Sequence, residues 1–153
     1  MIKIVEIPKE IYHILEKTAN QSKAEKCGIL IGYHHKNKIV ITHIIENKTA
    51  EDQSSVGVTR VMKDIWSELN LIARDFSPSD YIGEWHTHPS GLNIPSFIDI
   101  LSMVSILDSQ DYGYLEDVIL IIGILKKGLK CWNFSKDGYS SVSLQNIADD
   151  KKT

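Results

Sequence analysis

Several features are scarce in this sequence, and each scarcity excludes something. Two cysteines, Cys27 and Cys131, in 153 residues are too few for the disulfide framework of a small secreted domain. No CxxC pair offers a cysteine-rich zinc site. Long hydrophobic runs are missing too. The longest, "VILIIGIL" (118–125), is too short to cross a bilayer as a helix. Positive charge is not in excess: 17 Lys and Arg against 20 Asp and Glu give a net charge of −3, which argues against a nucleic-acid groove. The opening "MIKIVEIPKE" has neither the apolar core nor the small-residue cleavage site of a signal peptide. These absences predict a soluble, reduced, cytoplasmic protein with no nucleic-acid or membrane partner.

What is present fits one domain with a proper core. "IKIVEI" alternates like a strand, and "PKEIYHILEKTANQ" reads as a helix with Ile11, Ile14 and Leu15 on one face. "KCGILIGYHH" and "KIVITHIIEN" are β-rich runs joined by "KN", a hairpin signal. The polar stretch from Asn47 to Thr59 is expected to be a surface loop. Val61, Ile65, Leu69, Ile72 and Phe76 recur at helical spacing over residues 60–76. "YIGEWHTH" returns to strand, "FIDILSMVSILDS" is helical, and "DVILIIGIL", "KCWNFS" and "YSSVSL" predict three late strands. The expected fold is α/β of the mixed α+β kind, a central, mixed but mostly antiparallel sheet flanked by helices. Residues 1–145 form one catalytic domain in this reading, and 146–153 a polar tail.

The stretch "EWHTHPSGLNIPSFID" (84–99) carries the chemistry. Side chains two apart on a strand share a face, so His86 and His88 point the same way, as two imidazoles chelating one ion must. Asp99 follows a turn that Pro89, Gly91 and Pro95 make easy. Two histidines and a carboxylate, with a fourth position open to water, make a catalytic zinc arrangement. The same "SFID" also fits a helix capping box from Ser96 to Asp99, and both readings can hold at once. Glu84, two before His86, shares its strand face and is a candidate base or a partner that orients a histidine.

Jointly, H-x-H-x7-S-x-x-D in 86–99 and "EKCGILIG" in 25–32 resemble the JAMM signature of the JAB/MPN zinc metalloproteases. That resemblance implies the family fold and one zinc held by His86, His88 and Asp99. It also implies Glu25 as the general base, taking a proton from the attacking water and passing it to the leaving amine. Ser96 would hydrogen-bond the oxyanion. Glu84 then reads as a residue that supports the site or contacts substrate, or as simply solvated.

Compact bacterial members with a similar "YIGEWHTHPSG" string act beside ubiquitin-like conjugation systems, including anti-phage operons of the CBASS type. The implied reaction is hydrolysis of the peptide or isopeptide bond after the C-terminal tail of a ubiquitin-like protein, or of a conjugated protein that mimics one. The tail would lie in a groove or along a sheet edge, under residues 47–59 as a flap. Other readings are release of an amino acid from a sulfur-carrier protein, a RadC-like role in DNA metabolism, and a non-catalytic scaffold.

The remaining tempting residues read as structural. His34 and His35 end a hairpin strand, with a second metal site as the alternative. His13 and His43 have no partner nearby in sequence. Cys27 and Cys131 read as buried small hydrophobes, Trp66 and Trp132 as packing, and Trp85 as facing away from the metal.

Overall fold

A computed structural model describes residues 2–21, 23–47, 55–89 and 91–148, without the side chains of 55–64. Strand β1 (Ile4–Pro8) leads into helix α1 (Lys9–Gln21), and the hairpin β2 (Cys27–His35) and β3 (Lys38–Glu46) follows. Its turn at Lys36 and Asn37 places Lys36 at φ 59°. Helix α2 (Ser55–Asp75), strand β4 (Asp80–His88) and helix α3 (Phe97–Leu107) come next. A short 3-10 turn (Gln110–Tyr112) then precedes β5 (Asp117–Ile124), β6 (Gly128–Ser135) and β7 (Gly138–Ile147). The surface loop expected over 47–59 differs at both ends. Asn47 is buried with its N–H on the Cys27 carbonyl, and the chain is helical from Ser55. Residues 48–54 lie outside the described residues, so the central part of the expected flap does too.

The expected helix-flanked central sheet is overturned. The seven strands close into a barrel in the order β1-β3-β2-β4-β5-β6-β7 and back to β1. Closure is the work of β1, which pairs in parallel with β3 on one side and β7 on the other. Without it, β3 and β7 would each end an open sheet, leaving a row of backbone donors and acceptors unpaired. A third parallel seam joins β4 to β5, and the other four are antiparallel.

Two apolar clusters occupy the two faces of the barrel wall. One draws side chains from every strand, including Val5, Leu30, Ile41, Trp85, Ile121 and Cys131. A cluster fed by the whole ring is its interior. Leu15, with Ile11 and Tyr12, brings α1 into that cluster. The other cluster lies outside, where Ile65 and Leu69 of α2 and Met103 and Ile106 of α3 cover Ile29, Leu120 and Ile122. Strand β4 runs between the two, and every residue from Tyr81 to His88 is buried. That double burial places a polar strand, "EWHTH", where ordinary strands are aliphatic.

Gly83 shows how tightly β4 is packed. A Cβ there would fall 2.1 Å from the Ile119 carbonyl oxygen of β5, backbone that cannot swing aside. Gly83→Ala is therefore expected to destabilise the fold by roughly 3 kcal/mol through overpacking, read as a lower midpoint in urea unfolding.

Candidate metal centre

Alternation along β4 sends Trp85 into the barrel interior and leaves Glu84, His86 and His88 on the outer face. All three are buried, Glu84 and His86 at 1% exposure, because α2 and α3 roof that face. Beyond His88 the chain turns back. Gly91, at φ 83°, donates its N–H to the His88 carbonyl at 2.9 Å, and α3 then carries Asp99 under the histidines.

The capping box expected from "SFID" is present. The Asp99 N–H donates to Ser96 Oγ at 3.1 Å, and the Ser96 N–H donates to Asp99 Oδ2 at 2.7 Å. The second bond aims the carboxylate while it closes the helix end. Asp99 Oδ1 lies 3.2 Å from His86 Nε2 and Oδ2 lies 3.3 Å from His88 Nε2. The two Nε2 atoms are 3.0 Å apart, in rings stacked at 4.8 Å. One ligand atom from each of the three residues falls within 4.8 Å of the others.

The tautomer of His88 follows from its neighbour. Its Nδ1 is 2.9 Å from the Leu92 carbonyl oxygen, which can only accept, so Nδ1 carries a hydrogen. In a neutral imidazole the lone pair is then on Nε2, facing Asp99. Lone pairs and a carboxylate converging in a buried place repel one another unless a cation sits among them. A proton can serve, as can a divalent ion. Two imidazole nitrogens and one carboxylate oxygen form a donor set that suits zinc. The residues present fit the metal.

Burial works to raise the Asp99 pKa, but the His86 and His88 imidazoles hold its carboxyl well below the usual range. Burial opposes a charged His88, yet Asp99 and the Leu92 carbonyl together raise it. Glu84 has the opposite fate from Asp99. Burial pushes its carboxyl up to about 8, against the help of a hydrogen bond. The donor is the Tyr81 hydroxyl, 3.1 Å from Oε2.

Glu25 lies two residues ahead of β2 rather than within it. The antiparallel register sets Cys27 against His86 and Ile29 against Glu84. One step further, the Lys26 N–H donates to Thr87 Oγ1 and the Thr87 N–H donates to the Lys26 carbonyl, both at 2.8 Å. Alternation then turns Glu25 to the face that bears the histidines. It is half-buried. Burial raises its pKa, the charges of His86 and His88 lower it, and Asp99 adds to the rise.

The structure thus brings Glu25, Glu84, His86, His88, Ser96 and Asp99 into one neighbourhood and leaves the other candidates apart. His34 Nε2 pairs with Asp117 at 2.8 Å. His43 sits beside Thr42 and meets the Phe76 ring at a tilt of 52°. Sequence reasoning missed Tyr81, Thr87 and the Leu92 carbonyl. Tyr81 and Glu84 are three apart and belong on opposite faces of a regular strand. A register shift opposite Leu30 and Ile31 skips Ile82, and such a bulge re-aims the side chains beyond it. No residue type announces it.

Residues 9–135 match the family described as prokaryotic homologs of the JAB domain. The chain belongs to that family. Curated relatives include a CD-NTase/cGAS isopeptidase of Enterobacter hormaechei subsp. hoffmannii, 37% identical over 100 residues, 65% of this chain and 55% of that protein. Another of the same description, from Escherichia coli, is 33% identical over 95 residues, 58% of this chain and 57% of that protein. The JAB-family chain thus spans little more than half the length of these relatives. The solution structure of a Desulfitobacterium hafniense protein covers 96% of the chain, and the chain covers 97% of it, at TM-score 0.65 and 15% identity, a likeness of fold alone. Among the described residues no helix is long and apolar enough to cross a membrane.

Two measurements probe the local chemistry. Burial pushes the Cys27 thiol up to about 12 and also raises that of Cys131, and the thiolate is the reactive form. Both are expected to ignore a thiol reagent at pH 8 in native protein and to react in denaturant. Ser96→Ala removes the cap and should cost about 1 kcal/mol of stability in metal-free protein, measured by thermal unfolding.

Proposed function

We propose that this chain is a zinc-dependent isopeptidase that cuts the bond after the C-terminal tail of a ubiquitin-like protein, or of a conjugated protein that presents such a tail. The observation that carries the proposal is the convergence of two imidazoles and a carboxylate beside a half-buried glutamate on one outer face. The relatives named CD-NTase/cGAS isopeptidases favour a conjugated CD-NTase as the substrate, in a CBASS-like, anti-phage setting in the cytoplasm. The catalytic domain is then the barrel through the end of β7 at Ile147, with the polar tail after it.

His86, His88 and Asp99 would hold the zinc, which when bound supplies Lewis-acid polarisation of a carbonyl and a water acidic enough to attack near neutral pH. The chain's own residues do the rest. Leu92 fixes the His88 tautomer and Ser96 fixes the Asp99 rotamer, so the ligands need little rearrangement. Glu25 takes the proton from the attacking water and returns it to the departing amine, the step an amide leaving group requires. Partial burial suits that task, because it lifts a carboxylate toward the operating pH. Ser96 Oγ accepts from the Asp99 N–H, so its own hydrogen is free to donate. With Ser96 exposed, that hydrogen can reach the oxyanion of a substrate carbonyl. Glu84, buried and held by Tyr81, supports the site without touching substrate.

The test pairs metal analysis with cleavage of two fusions, one with a reporter after a ubiquitin-like tail and one with a reporter after a CD-NTase C-terminus. Wild type is expected to carry about one zinc per chain and to cut at least one fusion. Glu25→Gln should keep the zinc and lose about 100-fold or more in kcat, with Glu84→Gln affected far less. Zinc without cleavage of either fusion would sink the peptidase reading, and a Glu84→Gln variant that is dead beside an active Glu25→Gln would reverse the assignment of the base.

A further inference from the structure

The Glu25 segment stands outside any helix or strand. It follows α1 as coil, and the β2 ladder begins only at Cys27. One attachment to the barrel is Thr87, the residue between the two histidines. The Thr87 backbone N–H reaches the Lys26 carbonyl, and its side-chain Oγ1 receives the Lys26 N–H, each at 2.8 Å. The second bond replaces the backbone acceptor that a regular ladder would supply. Thr87 is 1% exposed and the bond is part-buried, so removing the hydroxyl would cost the Lys26 N–H its partner in a place water reaches poorly.

We infer that Thr87 is a positioning residue for the reaction, its hydroxyl fixing Glu25 at the registry from which it reaches the metal face. The inference rests on the proposed role of Glu25. Thr87 points into the interior side of β4, away from the histidine ring faces, so it acts through Lys26 and the backbone rather than on the substrate. Valine at 87 keeps the shape of threonine but puts a methyl against the Lys26 N–H. Serine keeps the acceptor and gives up the methyl.

The experiment compares wild type, Thr87→Val, Thr87→Ala and Thr87→Ser as zinc-loaded protein on whichever of the two fusions wild type cuts, with Glu25→Gln in parallel. Thr87→Val and Thr87→Ala are expected to retain zinc and KM while kcat falls about 10- to 100-fold, the cost of displacing a reacting group by about an ångström. Thr87→Ser should recover most of kcat. A purely structural threonine would lower stability without this split, and serine would rescue nothing in kcat. Full kcat in both Thr87→Val and Thr87→Ala overturns the inference, as does loss of zinc in them, which would assign Thr87 to the ligands instead. Should Thr87→Val not fold, Thr87→Ala carries the same comparison without the added methyl. A fully active Glu25→Gln would take from Glu25 the role of base on which this inference rests, whereas an inactive Glu25→Gln beside unaffected Thr87 variants removes this inference alone.

Discussion

The antiparallel pairing of β2 with β4 is the constraint on which the site depends. It sets Cys27 against His86, and from that one register the faces of Glu25, Glu84, His86 and His88 all follow. A slip by one residue would send both histidines into the barrel interior and bring Trp85 and Thr87 outward. Glycines make the pairing close. A Cβ at Gly28 would fall on the Ile45 carbonyl oxygen and on the Trp85 ring. The tryptophan that fills the interior and the histidines that face outward are thus fixed by the same seam.

The outer face combines two requirements that pull apart. Roofing β4 with α2 and α3 buries aliphatic side chains and stabilises the fold, but it also removes water from Glu84, His86, His88 and Asp99. Burying polar acceptors costs stability unless each finds a donor or a cation. The chain meets part of that cost with its own groups: Tyr81 for Glu84, the Ser96 N–H for Asp99, and the Leu92 carbonyl for His88. The central meeting of Nε2 atoms and carboxylate is left to a proton or a cation. The site is therefore built to favour whatever positive charge enters it, and binding there stabilises the folded state by mass action.

Much of the site was legible because its spacing obeys two simple periods. Strand alternation gives His86 and His88 one face, and the capping box both starts α3 and directs Asp99. The strand order was less legible. β1 and β7 pair although they lie at opposite ends of the described chain, and most of β7 is exposed, so its residues carry little of the apolar alternation that advertises a strand. Closure of the barrel is a long-range pairing with no local signature. Glu84 was ambiguous for a related reason. Its burial comes from helices that pack across β4, and its hydrogen bond to Tyr81 comes from a bulge. The Thr87 clamp was invisible too, because threonine between two histidines on a strand reads as ordinary β-propensity.

Closure by β1 also has a consequence in time. Ile4 and Ser143, paired between β1 and β7, are 139 positions apart (143 − 4). During synthesis the first strand must wait of the order of ten seconds for its second neighbour. Meanwhile it has only the three-residue seam with β3. The strand that carries the histidines and the one that follows their glutamate emerge and can pair well before the ring around them is complete. A nascent chain can therefore present His86, His88 and Asp99 while the wall behind them is still open, and arrival of β7 is the event that closes it.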